Sequence, residues 1–204
     1  MVGYNTTHST EYIFPTPIHF FYIEGFENIK NKLIDYAYDF KKRYPKGRVI
    51  SNRGGWQSPI SRVVQDGDLL STLLFNSLTS IPHIKEDNVY IISSWININK
   101  SGDYNIKHSH PNCDLSGVFW IKTPENCGNL EFDNPTMFEE YDLVNSCTDE
   151  FKDYSKFHHS WIYQPIEGRG LVFPSHLNHH VHENKSNDDR ISVSFNIRLC
   201  SIEY

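Results

Sequence analysis

The chain is 204 residues long, 38 % hydrophobic and 14 % aromatic, enough for one domain with its own core. Its 25 acidic against 19 basic residues give a formal charge of −6, and no dense Lys/Arg run supplies the basic face of a nucleic-acid binder. No stretch approaches the ~18 apolar residues of a membrane span, and the opening MVGYNTTHSTEY lacks the charged and apolar regions of a signal peptide, so a cytoplasmic location is expected.

In chain order, FPTPIHFFYI (Phe14 to Ile23) is an apolar run broken early by two prolines, which suits an edge strand. ENIKNKLIDYAYDFKKRYP then has helical spacing. Ile29, Leu33, Tyr36, Ala37 and Phe40 form one apolar stripe, cations crowd the last turn, and Pro45 ends it. SNRGGWQSP reads as a loop around an exposed Trp56. A second helix is predicted from Asp68 to about Ser77, carrying Leu69, Leu70, Leu73 and Leu74. After Pro82 the character changes. VYIISSWINI, LSGVFWIK, NLEF, SWIYQPI, GLVFP, HHVHE and RISVSFNIRL are short, β-branched or aromatic, and separated by Gly, Pro, Asn and Asp. Helices followed by many short strands predict a mainly β fold, a sandwich or barrel with helices on one outer face. The boundaries expected are a single domain over residues 1–204, with helical support over about 24–80 and a β core over about 88–200. Residues from about Asn134 to Ser160, polar and aromatic without periodicity, read as an insertion or lid. The four cysteines, Cys113, Cys127, Cys147 and Cys200, form no CxxC pair and are expected to be free thiols.

Six of the eleven histidines lie in two short windows: His108 and His110, then His176, His179, His180 and His182. Neutral imidazole is the commonest protein ligand for a divalent transition metal. Side chains at i and i+2 of a strand share a face, so His108 and His110 would point the same way. Two such windows on neighbouring strands can converge on one ion. Downstream, Arg190 opens an alternating strand on which Arg190, Ser192, Ser194 and Asn196 share one face and Ile191, Val193, Phe195 and Ile197 the other. The apolar face would pack on the helices while Arg190 and Ser192 look into the barrel mouth. Guanidinium grips a carboxylate through two parallel hydrogen bonds, a geometry lysine cannot reproduce. A solvated polar face is the plainer alternative.

The segments HSHPNCDLSG, FPSHLNH and RISVSFN, in that order, resemble an iron(II)/2-oxoglutarate-dependent oxygenase subfamily, within the prolyl 4-hydroxylase-like dioxygenases. SNRGGWQS and FPTPI extend the resemblance from about Phe14 to Arg198. Asn97 and Gly102 ahead of His108 are similar to the strand preceding the first metal histidine in the alkylated-nucleic-acid repair dioxygenases. The resemblance implies a double-stranded β-helix, a cupin-like jelly roll with supporting N-terminal helices. It implies Fe(II) and 2-oxoglutarate as cofactors and hydroxylation of a C–H bond in an amino-acid, peptidyl or small-metabolite substrate. His108 would be the first iron ligand and His179 the distal one. Arg190 would bind the far carboxylate of 2-oxoglutarate with help from Ser192, and Asn97 would orient the cosubstrate.

The chain departs from the family pattern at position 110, where the usual two-His-one-carboxylate set has Asp or Glu. Three arrangements stay open: His110 as third ligand, Asp114 as an acidic one, or two histidines completed by water. His176 is a candidate to orient a ligand, whereas His180 and His182 would face away from His179. Two other classes also stay open. One is a cupin-like metal barrel of another activity, such as an isomerase or zinc hydrolase. The other is a catalytically silent binding module, for which the missing carboxylate is the best argument.

Overall fold

A computed structural model describes residues 9, 14–60, 69–78, 81–82, 84, 89–136 and 143–199. The expected β-rich second half forms two antiparallel sheets. The larger contains β1 (His19–Tyr22), β3 (Trp56–Gln57), β4 (Val89–Asn99), β6 (Leu115–Lys122), β9 (Arg169–Pro174) and β11 (Arg190–Leu199), in the order β1-β9-β6-β11-β4-β3. The smaller contains β2 (Asn52–Arg53), β5 (Tyr104–His108), β7 (Leu130–Asp133), β8 (Ser160–Tyr163) and β10 (His179–Val181), in the order β2-β5-β10-β7-β8. The proline-flanked first strand is at a sheet edge, as its composition predicts.

Alternation along the strands of the larger sheet separates two apolar layers. Ile96, Ile98, Phe119, Ile121, Val172, Ile191, Val193, Phe195 and Ile197 pack outward with Phe26, Leu33, Ala37, Leu70, Leu74 and Leu78. The last five come from α1 (Lys30–Arg43) and α2 (Leu69–Leu78). Val118, Trp120, Leu171 and Phe173 face the other way and meet Leu130, Phe132 and Leu177, so the two sheets pack face to face. A strand covered on both sides can carry a nearly continuous apolar run, which is why LSGVFWIK shows little alternation. Gly117 marks a close approach: a Cβ there would collide with the Phe195 ring and come within 2.6 Å of the Leu171 carbonyl.

Three readings need correction. SNRGGWQSP is more ordered than a loop, because it contributes β2 to the smaller sheet and β3 to the larger. Trp56 is buried, 8 % exposed, with its indole N–H donated to the Tyr44 carbonyl at 3.0 Å, so it packs under the helices instead of meeting solvent. The insertion after Asn134 holds two short helices, α3 (Leu143–Ser146) and α4 (Asp149–Ser155), the second capped by Thr148. Both are too short to show a period in sequence. The N-terminal residue of the second predicted helix, Asp68, lies outside the described residues, as does Cys200. Cys113, Cys127 and Cys147 are free. Among the described residues, no helix is long and apolar enough to cross a membrane.

Candidate functional site

His108 ends β5 and His179 begins β10, and the two are partners across that antiparallel pair. The next pairing is Val181 with Asn105, so β5 spends three steps where β10 spends two. This extra residue is a bulge, and it turns both Asn105 and His108 toward the space between the sheets. His110 lies just beyond the strand, not on it. Its backbone N–H is donated to the Ser175 carbonyl at 2.9 Å, and the Ser175 hydroxyl binds the Cys113 carbonyl at 2.6 Å. The segment after β5 is thus tied to the turn leading into β10.

These ties gather three imidazoles. Ring centroids are 4.4 Å apart for His108 and His179, and 5.1 Å for each of them from His110. One ring nitrogen from each lies within 4.8 Å of the others. Each Nδ1 faces an oxygen: the Ile106 carbonyl for His108 at 2.8 Å, the Leu177 carbonyl for His179 at 2.9 Å, and Asn196 Oδ1 for His110 at 2.7 Å. Because a carbonyl or amide oxygen can only accept, all three Nδ1 atoms must carry the proton. Every Nε2 therefore keeps its lone pair for a ligand bond, the tautomer control usual in metal sites. Burial pushes all three imidazoles below their ordinary pKa, His179 to about 3, which keeps them neutral at physiological pH. Trp95 stacks on His110 at 5.6 Å, and Phe173 and Phe132 contact His179 at 5.0 and 5.6 Å.

Arg190 opens onto the same cavity, with Ser192, Ser194 and Asn97. It is 2 % exposed. Its Nη1 donates to the Ser192 hydroxyl at 3.1 Å, the Cys127 thiol lies within hydrogen-bonding reach of the guanidinium, and among the described residues its buried Nε and Nη2 have no oxygen or nitrogen partner. A guanidinium stays charged in proteins. A buried cation with two idle donors is costly until an anion arrives. Nε and Nη2 share one edge of the guanidinium plane, the edge that matches the two oxygens of a carboxylate. Asn97 donates through Nδ2 to the Ser194 hydroxyl at 3.0 Å, leaving its buried Oδ1 unpartnered. Among the described residues no Asp or Glu lines the cavity, and Arg190 is the one side chain there with a fixed charge.

His108, His110, His179, Arg190, Ser192 and Asn97 are thus brought to one cavity, and Asp114 is not. The exposed Asp114 carboxylate accepts the Leu199 backbone N–H at 2.7 Å and braces the start of β6 against the end of β11. His176 is exposed, and among the described residues it is the Ile106 and Leu177 carbonyls and Asn196 that face the ring Nδ1 atoms. His180 and His182 turn away from His179, as alternation predicts. Sequence reasoning missed the task of Asn196. Its Oδ1 also accepts from the Ser116 hydroxyl at 3.0 Å, and its Nδ2 donates to the Ser93 hydroxyl at 3.2 Å. The available signal was its place on the polar face of RISVSFN, in phase with Arg190. Trp95, on the same face of β4 as Asn97, was missed for want of any such signal.

A family model described as "Putative 2OG-Fe(II) oxygenase" matches residues 93–196, half of the chain. The fold is similar to that of a Pseudomonas putida prolyl-4-hydroxylase, with a TM-score of 0.55, 12 % identity, and 90 % of this chain and 94 % of that one covered. It is also similar to a collagen prolyl hydroxylase of Paramecium bursaria Chlorella virus-1, solved with 2-oxoglutarate (TM-score 0.53, 18 % identity, 89 % and 97 % covered). A non-heme α-ketoglutarate-dependent carbocyclase of nogalamycin biosynthesis gives a TM-score of 0.62 at 10 % identity, with 89 % and 79 % covered. The common architecture is the double-stranded β-helix. No curated protein matches the sequence.

Proposed function

Since the chain belongs to the 2OG-Fe(II) oxygenase family, and is a 2-oxoglutarate-dependent oxygenase, we propose that His108, His110 and His179 hold its Fe(II) and that Arg190 and Ser192 hold its cosubstrate. The observation that carries the second half is the buried Arg190 edge, Nε and Nη2, left without a partner in the cavity that the three histidines share. It fits the distal carboxylate of 2-oxoglutarate in charge, shape and number of donors. The first half is supported by the three protonated Nδ1 atoms, which free three Nε2 lone pairs in one cluster.

When bound, the iron supplies oxygen activation coupled to oxidative decarboxylation of the cosubstrate. The protein's part is positional. Ile106, Leu177 and Asn196 fix the ring orientations. Phe132 and Phe173 shield His179 from water. Trp95, half-buried against His110, borders the space into which a substrate C–H bond would be presented. A three-histidine set is neutral, so the metal keeps its full formal +2. The dianionic cosubstrate then does the charge balancing that a ligand carboxylate does elsewhere in the superfamily. The substrate is an amino acid, a peptidyl side chain or a small metabolite, hydroxylated at carbon.

Succinate release is the test. Purified chain given Fe(II), 2-oxoglutarate and O2 should form succinate slowly without a substrate and faster with one. The His108→Ala and His179→Ala variants should form none. Succinate formation indifferent to both substitutions would overturn the assignment of the ligands. No succinate from the wild-type chain with any amino acid, peptide or metabolite tried would return it to the silent binding module.

A further inference from the structure

The windows of histidine hold more imidazoles than the cavity uses. Along His179-His180-Val181 and on to His182, alternation sends His179 and Val181 into the cavity and leaves His180 and His182 on the outer face of the smaller sheet. β7 runs beside β10, and Glu131 is the register partner of His180. Leu130 and Phe132 belong to the inner core, so Glu131 between them also points outward. The register therefore builds an outer cluster back to back with the inner one.

Its geometry converges on one carboxylate oxygen. His182 Nε2 lies 2.6 Å from Glu131 Oε2, and His180 Nε2 lies 3.5 Å from the same atom. The two imidazole centroids are 5.0 Å apart. One donor atom from each of the three residues lies within 4.8 Å of the others. The side chains are only 18 % exposed for Glu131, 27 % for His180 and 35 % for His182. His180 Nδ1 is buried without a hydrogen-bond partner. The nearby Lys107 is paired with Asp133 at 2.7 Å, which offsets its charge. A purely polar surface cluster needs no such convergence: one His182 N–H satisfies the oxygen, and the second imidazole could turn to water.

We propose that Glu131, His180 and His182 form a second divalent-metal site, of the Zn(II) type, on the outside of the smaller sheet. Two imidazoles and one carboxylate are a donor set that Zn(II) takes readily, with water in the fourth position. Tetrahedral coordination spaces donors about 3.3 Å apart. The short His182–Glu131 contact would open by under ~1 Å as the metal replaces its proton. Such an ion would tie β10 to β7 one residue away from His179, bracing the strand that carries it.

Counting Zn(II) bound per full-length chain, by equilibrium dialysis with metal analysis, tests this and separates it from the inner assignment. Wild type should bind two equivalents. Glu131→Gln, nearly the same shape, and His180→Ala/His182→Ala should each bind one fewer. His108→Ala/His110→Ala should also lose one equivalent, but the other one. If both outer variants bind as much Zn(II) as wild type, the outer site does not exist, whatever the inner variants do. If the inner variant alone keeps the wild-type count, the inner assignment fails and the outer one stands.

Discussion

Arg190 shows how much chemistry one side chain's surroundings can specify. A surface arginine would be satisfied by water, whereas this one is buried with one guanidinium edge idle. Charge-assisted hydrogen bonds are worth roughly 1.5–3 kcal/mol. Arg190→Ala should therefore weaken 2-oxoglutarate binding by about one to two orders of magnitude. Arg190→Lys, which keeps the charge and loses the paired edge, should recover only part of it. Anaerobic titration of the Fe(II)-loaded protein, following the metal-to-cosubstrate absorption band, measures both; equal affinity in wild type and Arg190→Ala would remove Arg190 from the site. Asn196 acts one step further out, by accepting the His110 Nδ1 proton. Losing such a partner typically costs 10–100-fold in metal affinity. Asn196→Ala should show that loss. Asn196→Asp, which retains an acceptor oxygen, should bind Fe(II) more tightly than Asn196→Ala, and failure of that rescue would mean Asn196 serves packing only.

At the scale of elements, the strands divide into those that anchor and those that present. β11 is paired with β4 along its whole length and with β6 from Ile191 to Ile197, and Ile191, Val193, Phe195 and Ile197 are each 0 % exposed. It can therefore hold Arg190 and Asn196 at fixed positions. The helices of the insertion are different: α3 fully buries only Val144, and no residue of α4 is fully buried. Elements with few buried apolar contacts open at low free-energy cost. Amide exchange in α3 and α4 should be faster than in β6, β9 and β11 by several orders of magnitude. Protection there equal to that of the core strands would show that these helices are docked as firmly as the sheets. The insertion lies between β7 and β8, and the groove beside it is lined by Phe132, Trp161, His158 and Leu177. That placement suits a cover over the approach to the smaller sheet.

For the whole molecule, the cavity between the sheets is the unfinished part of the core. Among the described residues it holds three imidazoles, a guanidinium and two side-chain amides where a sandwich would otherwise place apolar side chains. A metal and an anion that bind only the folded state should therefore stabilise it. At 100 times its dissociation constant a ligand adds about 2.7 kcal/mol. For a chain of this size that raises Tm by about 5–10 °C. Fe(II) alone under anaerobic conditions should produce such a shift, 2-oxoglutarate should add to it only with metal present, and a chelator should reverse both. An unchanged Tm on adding Fe(II) would deny the cluster its metal. Much of this was legible in the residues themselves. The stripe of Leu33 and Ala37, the turn-bounded strands and the phase of RISVSFNIRL follow from local periodicity, because which face is buried is decided within each element. The chemistry-bearing residue types, His108, His179 and Arg190, were equally visible. What needed the tertiary structure was every relation between elements. The bulge in β5 that turns His108 inward, the tie from His110 to Ser175, the displacement of Asp114 to the sheet margin and the burial of Trp56 depend on register and on partners far away in sequence. No local pattern carries that information, since a one-residue slip between strands leaves each strand's own periodicity unchanged while exchanging which side chains meet.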